Sequence, residues 1–207
     1  MIRPMRDASL RALFASAVLG LALWLPGCSN HVQSAPNDRS GSIGSTSSNA
    51  SPETLAVGGI APDFSYRLID GTSLSASDLH GHPYVLWLMA TWCSSCQGGA
   101  AVLAQHIAEL RAHGIRIVQL EVADNLGAKG PSMRGFRASV GRGADAANWY
   151  WGHATAEQML VLDPGSYPDI YYLVRADGTI AEVNGSPAAT WSGIEKFAAS
   201  AGSAKKS

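Results

Sequence analysis

The sequence predicts an α/β domain: a central mixed β-sheet flanked by helices, with an insertion ahead of a strand that opens on a proline. Three observations carry this. Residues 84–90 (YVLWLMA) are apolar without polar alternation, as a strand covered on both faces requires. Residues 97–113 follow with helical periodicity, and residues 115–122 (IRIVQLEV) read as the next strand. Strand, helix and strand in that order give a right-handed unit with parallel strands. Residues 170–174 and 180–183, joined across Asp177-Gly178, form a hairpin that makes the sheet mixed.

At the start of the chain, Arg3, Arg6 and Arg11 precede an apolar run over residues 13–25. The run is short and is closely followed by Pro26-Gly27, the pattern of a secretory signal rather than of a spanning helix. Leu25-Pro26-Gly27-Cys28 resembles the bacterial lipobox, with a proline where a small or aliphatic residue is usual. That resemblance implies cleavage before Cys28 and lipidation of it, leaving an exported protein anchored on the outer side of a bacterial membrane. Residues 28–57 are Ser, Asn, Gly, Pro and Ala with hardly an apolar side chain. They cannot bury enough surface to offset the entropy of ordering and read as a tether. The expected division is a signal at 1–27, a tether at 28–57, a folded domain at 58–202 and a frayed tail at 203–207.

Within the domain, residues 65–69 and a stretch including Ser73-Leu74 read as two short strands around Asp70-Gly71. Residues 77–83 punctuate the chain; His80 and His82 lie there without thiols or paired carboxylates nearby, a solvated turn rather than a metal site. Leu103, Ile107 and Leu110 form the buried stripe of the long helix, which His113-Gly114 ends. Gly98-Gly99 in its first turns implies either a loose turn or a close backbone approach. Glu121 sits either near the thiols or at a strand end in water. Residues 125–160 form the insertion, with a short helix around 132–140, another at 154–162, and an aromatic cluster at Asn148-Trp149-Tyr150-Trp151 that either packs or faces a substrate. A last helix begins near Thr190 or Ser192, where Ser192 and Glu195 fit a capping box.

The chemistry centres on Trp92-Cys93-Ser94-Ser95-Cys96, at the junction of the buried strand and the helix. Cysteines three apart on a first turn share a face and are close enough to be bridged. Cys93 stands where unpaired N–H groups and the helix dipole favour a thiolate. A thiolate beside a second thiol attacks a disulfide and is released by its neighbour. With only three cysteines and Cys28 remote, Cys93 and Cys96 are the natural pair. A formal net charge of −1 gives no basic surplus, which argues against nucleic acid as a partner.

Four segments resemble the thioredoxin fold and, within it, the exported TlpA/ResA-like thiol-disulfide oxidoreductases of the AhpC/TSA-redoxin superfamily. They are Ala61-Pro62-Asp63-Phe64, residues 90–96, Tyr167-Pro168 and residues 174–180. The resemblance implies that Cys93 attacks and Cys96 resolves, with no cofactor and no metal. It implies a cis Pro168 beside the thiols, and places Trp92, Tyr167 and Pro168 against a client, the Tyr167 backbone pairing with an extended substrate. Its expected partners are client proteins bearing thiols or disulfides and an upstream membrane or periplasmic electron donor. The sequence departs from the family where a central-strand acid is usual: Leu88 or Trp87 stands there, and neither can move a proton.

Two alternatives share the fold. A peroxiredoxin-type peroxidase needs a threonine three places before its cysteine, where this chain has Ala90, with Thr91 one place later. A copper-handling protein would use the two thiolates with Met89, Met159 or His153.

Overall fold

The computed structural model describes residues 55–204. The expected signal, Cys28, the tether up to residue 54 and residues 205–207 lie outside the described residues.

Strands β1 (Ser65–Leu68) and β2 (Ser73–Ser75) form the first hairpin. Residues 77–83, read as a turn, begin instead within a four-residue helix, α1 (Ala76–Leu79). Its cause is local: the Ser75 hydroxyl accepts from the Asp78 N–H while the Asp78 carboxylate accepts from the Ser75 N–H. β3 (Tyr84–Met89) is buried at all six positions, as its unbroken apolar run requires.

The long helix expected over 97–113 is two helices, α2 (Ser94–Gln105) and α3 (Ile107–Ala112). The break falls at His106 (φ −101°, ψ 10°), whose ring stacks on Trp191 with centroids 4.2 Å apart. Gly99 explains the paired glycines. A Cβ there would lie 3.0 Å from both Pro187 Cδ and the Trp87 indole, so the backbone approaches closely, whereas one at Gly98 would meet only Ala188 Cβ, at 4.0 Å.

β4 (Arg116–Glu121) pairs in parallel with β3. Residues 125–160 then differ most from expectation. After a 3₁₀ turn (Ala123–Gly127) and α4 (Met133–Val140), a second 3₁₀ turn (Arg142–Asp145) leads to β5 (Trp149–His153). β5 is an inner strand, parallel to β4 and antiparallel to β1. The aromatic cluster is therefore packing. Trp149 and Trp151 are buried and stacked at 4.7 Å, with their indole N–H groups donating to Gln119 Oε1 and the Ala144 carbonyl. Gly152 is needed because a Cβ there would come 2.6 Å from the Arg67 carbonyl oxygen.

Thr155 and Gln158 form a capping box for α5 (Ala156–Leu162). β6 (Asp169–Val174) runs antiparallel to β3, and β7 (Ile180–Asn184) closes that edge. The last helix, α6 (Trp191–Ala204), starts one residue ahead of Ser192, which places Ser192 inside the first turn and not at the cap. The sheet order is β2-β1-β5-β4-β3-β6-β7, with β3 and β4 at its core. Among the described residues no helix is long and apolar enough to cross a membrane.

Candidate active site

β3 ends at Met89, and the chain turns into α2 through Ala90, Thr91 and Trp92. Cys93 is the N-cap of α2, extended at φ −76° and ψ 121°. Its sulfur accepts from the Cys96 N–H at 3.3 Å, satisfying one of the orphan donors of the first turn. Cys93 is 6% exposed and Cys96 fully buried; their sulfurs lie at disulfide distance, with Cα atoms 5.2 Å apart.

Pro168 faces the pair. Its carbonyl accepts from the Ala90 N–H and lies 3.0 Å from Cys96 Sγ, where it accepts the Cys96 thiol proton when the pair is reduced. The Tyr167–Pro168 bond, expected cis, is trans, as is every other peptide bond among the described residues. The chain reversal is made earlier. Ser166 takes a left-handed conformation (φ 53°) and its N–H donates to the Asp163 carbonyl, while the Tyr167 N–H donates to the Asp163 carboxylate. That N–H is thereby engaged inside the protein. The Tyr167 side chain is exposed, as is Trp92, at 56% and 42%.

Asn125 holds the segment before Cys93 in place. Its side chain accepts from the Thr91 N–H and donates to Thr91 Oγ1, both at 2.9 Å, and its carbonyl accepts from Trp92 Nε1 at 2.8 Å. Asp124, Asn125 and Leu126 are three successive non-glycine residues at positive φ (48–55°), a strained turn of the kind that concentrates at functional sites. Gly130 completes the contact: a Cβ there would be 2.9 Å from the Trp92 nitrogen.

The acid absent from β3 comes from β6. Asp169 accepts from Trp87 Nε1 at 2.8 Å on one oxygen, and from Ser95 Oγ at 2.8 Å and Ser186 Oγ at 3.1 Å on the other. Ser95 Oγ is in turn 3.1 Å from Cys93 Sγ. One carboxylate oxygen and the two sulfurs all lie within 4.8 Å of one another. Sequence reasoning missed Asp169, although a signal existed. Antiparallel pairing places Asp169 opposite Met89, diagonal to Trp87 and at the end of β3 from which the cysteines follow.

Other candidates fall elsewhere. Glu121 is at the strand end, where its carboxylate meets His153 Nδ1 at 2.8 Å. His153 is not part of the Cys93, Cys96 and Asp169 cluster, and Met89 and Met159 are buried in the core. His80 and His82 are exposed between α1 and β3. Beside the Asn125 turn is a cleft of about 630 Å³ that includes Glu121, Lys129, Ser132 and His153. A second cavity of similar volume, with Pro83, His113, Arg175 and Phe197 in its wall, opens at the far end of β3, away from the cysteines.

The AhpC/TSA family model matches residues 57–135. Among curated proteins no sequence matches the chain. A structure described as a thiol:disulfide interchange protein DsbE from Chlorobium tepidum is similar at 22% identity and a TM-score of 0.59, covering 72% of this chain and 99% of its own. A secreted Mycobacterium tuberculosis disulfide oxidoreductase homologous to E. coli DsbE follows at 20% identity and TM-score 0.52, covering 67% and 96%. BsSco, of the Sco family of cytochrome c oxidase assembly proteins, is similar at 19% identity and TM-score 0.54, covering 69% and 93%. The fold is thioredoxin-like, with a Cys93–Cys96 pair where strand β3 passes into helix α2.

Proposed function

We propose that the protein is a thiol–disulfide oxidoreductase that exchanges disulfides with client proteins through Cys93 and Cys96. One observation carries the reading: the two sulfurs are solvated by opposite kinds of group. Cys93 Sγ receives an N–H at the start of α2, which favours the thiolate, whereas Cys96 Sγ faces a carbonyl oxygen, which favours the thiol. Cys93 is also the more accessible of the two. Cys93 thiolate attacks one sulfur of a client disulfide and expels the other; Cys96 then displaces the client and leaves the Cys93–Cys96 disulfide. Trp92 and Tyr167, exposed beside the pair, are the side chains offered to a client, and Pro168 backs Cys96.

The neighbour of this fold described as a secreted disulfide oxidoreductase supports an extracytoplasmic site of action. With the basic and apolar N-terminal segment, this leads to a chain anchored through lipidated Cys28 and supplied by a membrane or periplasmic electron donor. Intact mass of detergent-extracted protein lacking an acylated Cys28 would remove the anchor from this reading.

The exchange test is trapping. The Cys96→Ser chain should accumulate mixed disulfides through Cys93, and the Cys93→Ser chain almost none. Equal trapping by both would show the roles to be misassigned, and failure of the wild type to exchange any disulfide would refute the reading.

A further inference from the structure

We infer that the reduced Cys93 and Cys96 form, with Asp169, a binding site for a zinc-class divalent cation, so that metal and disulfide compete for the same two sulfurs. Among the described residues, these are the side chains of metal-ligating type that converge as a group of three, their ligand atoms all within 4.8 Å of one another. The inference goes beyond disulfide exchange and holds whether or not a client is exchanged.

The spacing suits one ion. Zinc bonds of about 2.3 Å to sulfur and about 2.0–2.2 Å to a carboxylate oxygen set tetrahedral ligand atoms roughly 3.5–4 Å apart. Once the pair is reduced the sulfurs part to that spacing by side-chain rotation, and the carboxylate oxygen is no more than 4.8 Å from either. Three negative ligands packed this closely repel one another, and a divalent cation removes that repulsion.

The carboxylate is held ready for the ion. Its two oxygens have about four lone-pair sites, and the bonds from Trp87, Ser95 and Ser186 leave capacity for one more contact. Trp87 and Ser186 fix its orientation, as outer groups do for a metal ligand. Ser95 is exposed and can turn its hydroxyl out to water, which frees a further lone pair. The donor set selects the metal. Two thiolates alone would suit Cu(I), a soft ion with no use for a carboxylate, whereas two sulfurs with an oxygen match zinc, which takes both. Three protein ligands leave the fourth position to water.

Binding transfers no electron. Two metal–sulfur bonds form, and each sulfur still protonated releases its proton to solvent; Cys96 withdraws the one it donates to the Pro168 carbonyl. A disulfide offers neither thiolate. Oxidation therefore expels the ion, and a bound ion blocks attack by Cys93.

The test uses the full chain carrying Cys28→Ser, which leaves Cys93 and Cys96 as its only thiols. Cobalt(II) is added at one fixed pH to reduced and to oxidised protein, and zinc is then added in competition. Reduced protein should bind one equivalent with the sulfur-to-cobalt charge-transfer absorption of bound thiolates, and zinc should displace it; oxidised protein should bind none. Asp169→Asn should weaken zinc binding at least tenfold, since even groups behind a ligand are worth that much, whereas Ser95→Ala should not weaken it. Equal affinity in a folded Asp169→Asn chain would leave a bare dithiol chelate and overturn the site. A Ser95→Ala chain weakened as much as Asp169→Asn would show a disturbed hydrogen-bond network in place of a lost ligand, with the same consequence. Reduced protein that holds cobalt no more tightly than the Cys93→Ser chain would also overturn it, whether or not the Asp169 variant folds.

Discussion

Asn125 shows how one residue fixes the approach to the cysteines. Thr91 is fully buried, and both its N–H and its hydroxyl find their partners in the Asn125 side chain. Asn tolerates the left-handed conformation (φ 50°) that the turn demands. The Asn125→Ala chain leaves both Thr91 groups buried without that partner and should lose roughly 3 kcal/mol by urea denaturation. Asn125→Asp keeps an acceptor for the N–H, and the Thr91 hydroxyl can turn to donate to it, so its loss should be about 1 kcal/mol. Equal losses would mean that the backbone of the turn, not the side chain, holds Thr91. Nothing in the sequence marked Asn125, because its partner lies 34 residues earlier and the turn that aims it is not one of the glycine or proline turns that sequence reveals. Asp169 differs in that the pairing of β6 with β3 would have found it: Cys93 and Cys96 were legible through spacing, whereas the carboxylate reaches them through strand register.

At the scale of elements, six of the seven strands were legible, as apolar runs or around turn signals, and β5 was not. β3 and β4 declare themselves through residues 84–90 and 115–122, whereas β5 (WYWGH) carries no alternation and a glycine that ordinarily weakens a strand. Its place between β4 and β1 depends on Gly152 admitting the Arg67 backbone, a contact no local pattern announces. The helices show the same division. The paired glycines of α2 look alike in sequence but have different surroundings. Gly98→Ala adds a methyl group with ordinary room and should raise stability by about 1 kcal/mol through helix propensity. Gly99→Ala gains the same propensity but forces Pro187 and the Trp87 indole apart. It should be destabilising by roughly 1–2 kcal/mol net. Thermal or chemical denaturation of the two chains checks the opposite signs; two stabilising substitutions would mean that Trp87 yields freely.

At the scale of the whole molecule, four aspartates fall into two groups that pull the pH optimum of stability in opposite directions. Hydrogen bonds from Thr72, Ser75 and Thr179 hold Asp70, Asp78 and Asp177 below the ordinary carboxylate value. A carboxyl depressed in the folded state contributes stability above its unfolded pKa, lost as pH falls through the folded one. Asp163 is the opposite case. It is 1% exposed, one of its oxygens has no hydrogen-bond partner, and burial pushes its carboxyl up from 3.8 to about 6 despite the bond from the Tyr167 N–H. The folded chain therefore binds a proton there that the unfolded chain does not hold between about pH 4 and 6, and stability rises as pH falls across that window. The gain should be on the order of 2 kcal/mol between about pH 7 and 4.5, before the depressed carboxylates reverse the trend at lower pH. Asp163→Asn keeps an acceptor for the Tyr167 N–H and cannot titrate. Denaturant midpoints measured from pH 7 to 4 should lose that rise in the variant while keeping the fall at the acid end. If the variant's curve still climbs toward pH 4.5, the buried charge at the turn before Pro168 is not what sets the optimum.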